Sequence, residues 1–188
     1  MTNAAAEPIA EVWLRGNVRP VLGLAAVAAA IGIALVAAML ATGMHAVHGR
    51  LVAVYWLVAA AVVAAVAVVA ARPRLERRGG MLRVRLAPGR ADEVPLAAVE
   101  CFFLGSHTLG PDDAVTHRVG TLVMRIAERA AEWQERPTFV PWGTWNEGAV
   151  VFDGRWCEPL SIELARRLSG RLVEAKRAVV PLAAGNGA

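Results

Sequence analysis

The sequence predicts a two-helix transmembrane hairpin followed by a small α+β domain, mostly β, that closes with an amphipathic helix. Three observations carry this reading. First, Val21–Met44 and Leu51–Ala71 are apolar runs without a single charge, and about 20 apolar residues suffice to cross a hydrocarbon core. Second, the pattern changes at Arg72-Pro73 to short runs of alternating polar and apolar residues separated by Gly-Gly, Pro-Gly and Asp-Gly, the mark of strands and turns. Third, Leu164, Leu168 and Leu172 repeat at a spacing of one helical turn near the end of the chain.

The hairpin comes first in the argument because it fixes location. Residues 1–19 read as a short segment before the membrane. In it Ile9, Val12 and Trp13 suit a short interfacial helix with Trp13 at head-group depth. The hairpin occupies 20–71, with spans at 21–44 and 51–71 and a tight turn at His45–Arg50. Arg15 and Arg19 precede the first span, Arg50 alone sits in the turn, and Arg72, Arg74, Arg77 and Arg78 follow the second. The positive-inside rule then places both termini in the cytoplasm and makes the chain an integral protein of the cytoplasmic membrane. The Ala, Arg and Val richness suits a bacterial source. Neither span carries an Asp, Glu, Lys or Arg of the kind that marks a transport path.

Small-residue steps at Ala28/Gly32, Ala60/Ala64 and Ala61/Ala65 allow close helix packing, within the hairpin or between copies of the chain. Tyr55 and Trp56, one turn into the second span, suit the outer aromatic belt.

The soluble part, 72–180, is long enough for one small domain. Leu75–Arg78 and Met81–Leu86 flank Gly79-Gly80 as a β-hairpin, with Leu82, Val84 and Leu86 on one face and Arg83 and Arg85 on the other. Pro88-Gly89 marks the next turn, and Val99–Leu104 reads as a buried strand ended by Gly105. In Val119–Arg136 the period through Val119, Leu122, Val123, Ile126, Ala130 and Trp133 favours a helix, and a strand over Gly120–Glu128 is the other reading, since Leu122-Val123-Met124 also suits a buried strand. Asn146-Glu147-Gly148 is a turn, Ala149–Phe152 a strand, and Asp153-Gly154 a strong hairpin signal. Ser161 suits an N-cap for an amphipathic helix of about 17 residues that ends before Pro181. Residues 181–188 read as a disordered tail.

Candidate sites are few. Arg72, Arg74, Arg77 and Arg78 suit contact with anionic lipid head groups. Trp142 and Trp145, in the Pro-rich stretch Pro137–Asn146, suit either a loop whose aromatics cover the domain core or a membrane-facing or partner-facing patch. His107, Asp112, Asp113 and His117 are ligand types in a polar loop, but no known spacing joins them, so no metal is expected. No cofactor is expected either. Cys101 and Cys157 are far apart and read as reduced apolar fillers. The net charge of +4 is local and lacks an aromatic-rich basic face, which argues against nucleic acid.

The element order resembles that of bacterial PH-like domains carried behind two transmembrane helices. Leu75–Leu86 stands for the opening hairpin, Val94–Leu104 for the next strand, and Val150–Leu172 for the last strand and closing helix. This resemblance implies that Leu122–Glu128 is a strand and that the protein is a non-enzymatic module for membrane or protein association. Phosphate loops, G-x-S-x-G, H-E-x-x-H and G-x-G-x-x-G are all missing. The expected function is therefore a membrane-anchored interaction or scaffold module, with membrane lipids and a protein partner or a second copy as its contacts. An accessory subunit of a transport or respiratory complex, with His45 and His48 one turn apart as its hint, is the alternative. A membrane-bound enzyme with an unrecognised site is a further one.

Overall fold

A computed structural model describes residues 10–42, 45–109 and 117–184, with backbone alone for 45–48, 108–109, 117 and 179–184. The chain divides into two units, 17–72 and the joined segments 1–16 and 73–188.

The first unit is a pair of helices, α1 (Arg19–Thr42) and α2 (His45–Ala71). Two stretches, Arg19–Thr42 and Gly49–Ala71, are long and apolar enough to cross a membrane, with mean hydropathy 2.6 and 2.7. The turn expected at His45–Arg50 is instead the start of α2. Those residues retain their backbone hydrogen bonds by staying helical. Tyr55 therefore lies about three turns into α2 rather than one. Its hydroxyl donates to the Ala28 carbonyl oxygen at 2.6 Å. The Trp56 indole lies where a Cβ on Gly32 would be. The Ala28/Gly32 step is thus used inside the hairpin, and these two aromatics bind helix to helix. Ala60, Ala61, Ala64 and Ala65 are exposed on α2.

The second unit begins before the helices. Glu11–Leu14 is a strand, β1, and not an interfacial helix. It pairs antiparallel with β2 (Leu75–Arg78), Glu11 opposite Arg77 and Leu14 opposite Leu75. Trp13 is the extra residue of a bulge between Val12 and Leu14. A bulge turns two consecutive side chains the same way, and both Trp13 and Leu14 are buried. The boundary expected at residue 19 is therefore corrected: the domain takes its first strand from ahead of α1, and the hairpin is an insertion between β1 and β2.

β3 (Met81–Ala87) and β4 (Arg90–Pro95) complete a four-stranded antiparallel sheet in the order β1-β2-β3-β4. Leu82, Val84 and Leu86 are buried and Arg83 and Arg85 are not, the predicted alternation. The second sheet has the order β5-β6-β8-β7, from β5 (Val99–Leu109), β6 (His117–Ile126), β7 (Gly143–Asn146) and β8 (Ala149–Asp153). β5 continues through Gly105 instead of stopping there. The helical period over 119–136 does not produce a helix. Thr121, Leu122, Val123 and Met124 are all buried, which a one-faced helical stripe cannot achieve and a central strand does. The tight hairpin of this sheet is Glu147-Gly148, at φ 50° and 69°, the two positive angles of a type I′ turn. Asp153-Gly154 makes no hairpin. It opens a short 3₁₀ turn, Gly154–Trp156, and a Cβ at Gly154 would meet the Gly120 carbonyl oxygen at 2.5 Å.

The last element, α3 (Ile162–Ala184), is capped by the Ser161 hydroxyl, which accepts from Leu164 N–H at 3.2 Å. It runs past Pro181, because a proline removes one donor and strains a helix without forbidding continuation. Leu164, Leu168, Leu172 and Ala175 are buried against a core that includes Phe102, Leu122 and Phe152.

Candidate functional site

The outward-facing row Phe103, Val123, Val151 and Thr144 runs across all four strands of the second sheet, and Gly105, Thr121 and Asp153 form the next row. Above them lies a cleft of about 780 Å³, walled by Val140, Pro141 and Trp156 and reaching His107 and Arg155. Gly105 keeps the floor open, since a Cβ there would come within 2.9 Å of the Thr121 hydroxyl. Asp153 is buried at one end. Its Oδ1 accepts from Arg155 N–H at 2.8 Å and its Oδ2 from Arg155 Nη2 at 2.7 Å. Burial opposes ionisation of Asp153, but the Arg155 hydrogen bonds outweigh it and hold the carboxyl below the usual range. The same hydrogen bonds raise the Arg155 guanidinium above its ordinary value. His107 Nε2 is 3.7 Å from Asp153 Oδ2, beyond a hydrogen bond. A carboxylate saturated by arginine is a poor proton carrier.

A second concavity of about 410 Å³ lies between β5 and the start of α3, lined by Phe103, Leu104, Ile162, Arg166 and Ser169. Phe103 is 46% exposed and Ile162 58%.

The expected sites fare differently. Arg72 is exposed. Arg74 is fully buried, with its guanidinium 3.6 Å over the Trp142 ring and its Nε donating to the Trp156 carbonyl at 3.3 Å. Nη1 and Nη2 have no hydrogen-bond partner among the described residues. Burial lowers its pKa to about 10. It is a core residue and cannot reach a head group. Arg77 pairs loosely with Glu11 at 3.8 Å, and Arg78 is half-buried.

Trp142 and Trp145 are 5% and 3% exposed, so the partner patch expected there is corrected. One stacks on Arg74, and the Trp145 indole N–H donates to the Trp133 carbonyl at 2.8 Å. The Pro-rich stretch turns its tryptophans inward, Trp142 against the buried Arg74 guanidinium. Cys101 is exposed, and burial pushes the Cys157 thiol up to about 12. Asp112 and Asp113 lie outside the described residues, as do the side chains of His45, His48 and His117. Among the described residues no three His, Cys, Asp or Glu converge as metal ligands.

Sequence reasoning missed Thr121, Asp153 and Arg155. The one available signal was Gly105 inside an otherwise apolar strand, which marks a close approach. No family model, curated protein or solved structure matches the chain.

Proposed function

We propose that this chain is a non-enzymatic interaction or scaffold module of a bacterial cytoplasmic membrane, a PH-like sandwich held at the inner face by the inserted hairpin. The observation that carries the reading is the β1–β2 pairing on either side of α1 and α2. If the helices cross a bilayer, β1 meets β2 only when the number of crossings is even, so both flanks of the hairpin share one side. The arginine bias, with Arg15, Arg19 and Arg72 at the flanks against Arg50 near the turn, favours the cytoplasmic side. Two four-stranded antiparallel sheets followed by a helix packed on the core support the PH-like resemblance. The saturated Asp153 supports a binding role over a catalytic one.

Two measurements test this. In intact cells a membrane-impermeant maleimide should label Cys introduced by Arg50→Cys, and should reach Cys101 only after lysis; the reverse pattern overturns the topology. Chemical crosslinking in native membranes should give a discrete adduct that a chain carrying only residues 17–72 does not give. Finding only uncrosslinked chain would sink the interaction reading.

A further inference from the structure

An antiparallel sheet with one face on a core ordinarily shows water a polar face on the other. β6, an inner strand of the second sheet, does not. Leu122 and Met124 are buried toward the core, and Thr121 and Val123, which point the opposite way, are only 3% and 8% exposed. The cover over them is thin. Val140, Pro141 and Trp156 wall the cleft of about 780 Å³, and Val140 is itself 72% exposed. Cavities that hold small ligands run from roughly 300 to 1,000 Å³.

Two observations point to an occupant. The first is the Thr121 hydroxyl, which lies over Gly105 in the floor and has no hydrogen-bond partner among the described residues. A buried hydroxyl is costly to leave unpaired, and a glycine inside a strand marks a place where another molecule can approach the backbone closely. The second is charge. Asp153 and Arg155 sit at one end of the cleft and answer one another at 2.7 Å. An ionic ligand would break that bond or lie desolvated beside a satisfied pair, and either is unfavourable.

We infer that the cleft over Thr121 binds an uncharged, largely apolar small molecule carrying one hydroxyl- or amide-type group. The apolar body covers Val123 and Val151 and lies against Trp156. The polar group bonds Thr121 Oγ1 through the gap left by Gly105. A hydroxyl both donates and accepts, so an alcohol, a phenol or an amide can answer it. The site stands apart from the interaction reading: small-molecule binding and the membrane crosslink succeed or fail independently.

The probe is naphthol, added to the full chain in lipid nanodiscs with fluorotryptophan in place of tryptophan and followed by fluorine NMR. Trp156→Phe assigns the Trp156 resonance. That resonance should shift saturably below about 1 mM naphthol, while those of the buried Trp13 and Trp145 stay in place. Trp56, in α2, reports naphthol dissolved in lipid. Val151→Phe fills the floor and should weaken binding about tenfold or more. Thr121→Val keeps the shape but loses the hydroxyl and should weaken binding about fivefold, and Thr121→Ser should restore it. Naphthoate and naphthylmethylammonium should bind about tenfold more weakly than naphthol.

No saturable shift at Trp156 overturns the inference, and so does a shift that Val151→Phe leaves unchanged. Binding that Thr121→Val does not weaken removes the anchoring hydroxyl and counts against it. Naphthoate binding as tightly as naphthol refutes the choice of an uncharged ligand. Unmoved Trp13 and Trp145 resonances in each variant show that lost binding is not lost fold. The comparison of the three ligands uses the wild type alone and stands whatever the variants do.

Discussion

Replacing Arg74 by methionine tests how a buried guanidinium is tolerated. A pKa of about 10, well below the ordinary arginine value, corresponds to about 3 kcal/mol disfavouring the charged form. The Trp142 stack offsets about 2 kcal/mol in a desolvated setting, and the hydrogen bond to the Trp156 carbonyl about 1 kcal/mol. These terms nearly cancel. Methionine fills much of the same volume without a charge, so Arg74→Met should lie within about 1 kcal/mol of wild type. Arg74→Ala leaves a cavity and should lose about 3 kcal/mol. The assay is urea denaturation of the full chain in detergent, followed by tryptophan fluorescence, which Trp142 reports directly.

Proton linkage gives a second readout. The folded-state pKa lies below the unfolded one, so the folded chain binds fewer protons between about pH 10 and 12.5. Wild-type stability should therefore gain on Arg74→Met as pH rises through that window. A loss of 3 kcal/mol or more in Arg74→Met would refute the reasoning, for it would mean that Nη1 and Nη2 have strong partners.

Three further outcomes are expected. Glu147 holds a φ of 50°, so Glu147→Gly should stabilise the domain by about 1 kcal/mol in the same denaturation assay. Asp153→Asn should cost about 2 kcal/mol at neutral pH by weakening its bonds to Arg155. Because the folded pKa of Asp153 lies below the ordinary 3.8, this stabilisation is present above pH 3.8 and lost as pH falls through the folded value, so variant and wild type should converge in acid. Tyr55→Phe removes the bond to the Ala28 carbonyl and should cost the helix pair about 0.6 kcal/mol, measured by disulfide trapping between cysteines placed on α1 and α2.

How far the sequence reaches depends on whether the deciding contact is local. The two apolar helices, the hairpin around Gly79-Gly80 and the Leu164–Leu172 stripe are local patterns, and each is present, although α2 begins at His45, ahead of its expected start. β1 was not readable, because four residues become a strand only by pairing with Leu75–Arg78, which follows them across the hairpin. Arg74 next to a run of arginines looks like a surface charge, and only the tertiary stack on Trp142 makes it core. Asp153-Gly154 has hairpin composition, yet the glycine serves a close approach to Gly120. The cleft at Asp153 arises from sheet order, which periodicity does not encode.

The insertion of α1 and α2 between β1 and β2 bears on how the molecule is made. β1 leaves the ribosome roughly sixty residues ahead of its partner strand, several seconds at ordinary rates of synthesis. Throughout that interval Trp13 and Leu14 have no sheet to join. Closing a flexible loop of roughly sixty residues costs about 2 kcal/mol more than closing one of about six. Two helices laid antiparallel remove that excess by bringing their far ends together before β2 is complete. The apolar insert then acts as a folding aid: the pairing of α1 with α2 returns the chain to β1, and a chain whose two helices fail to pair closes the first sheet only at the full loop cost.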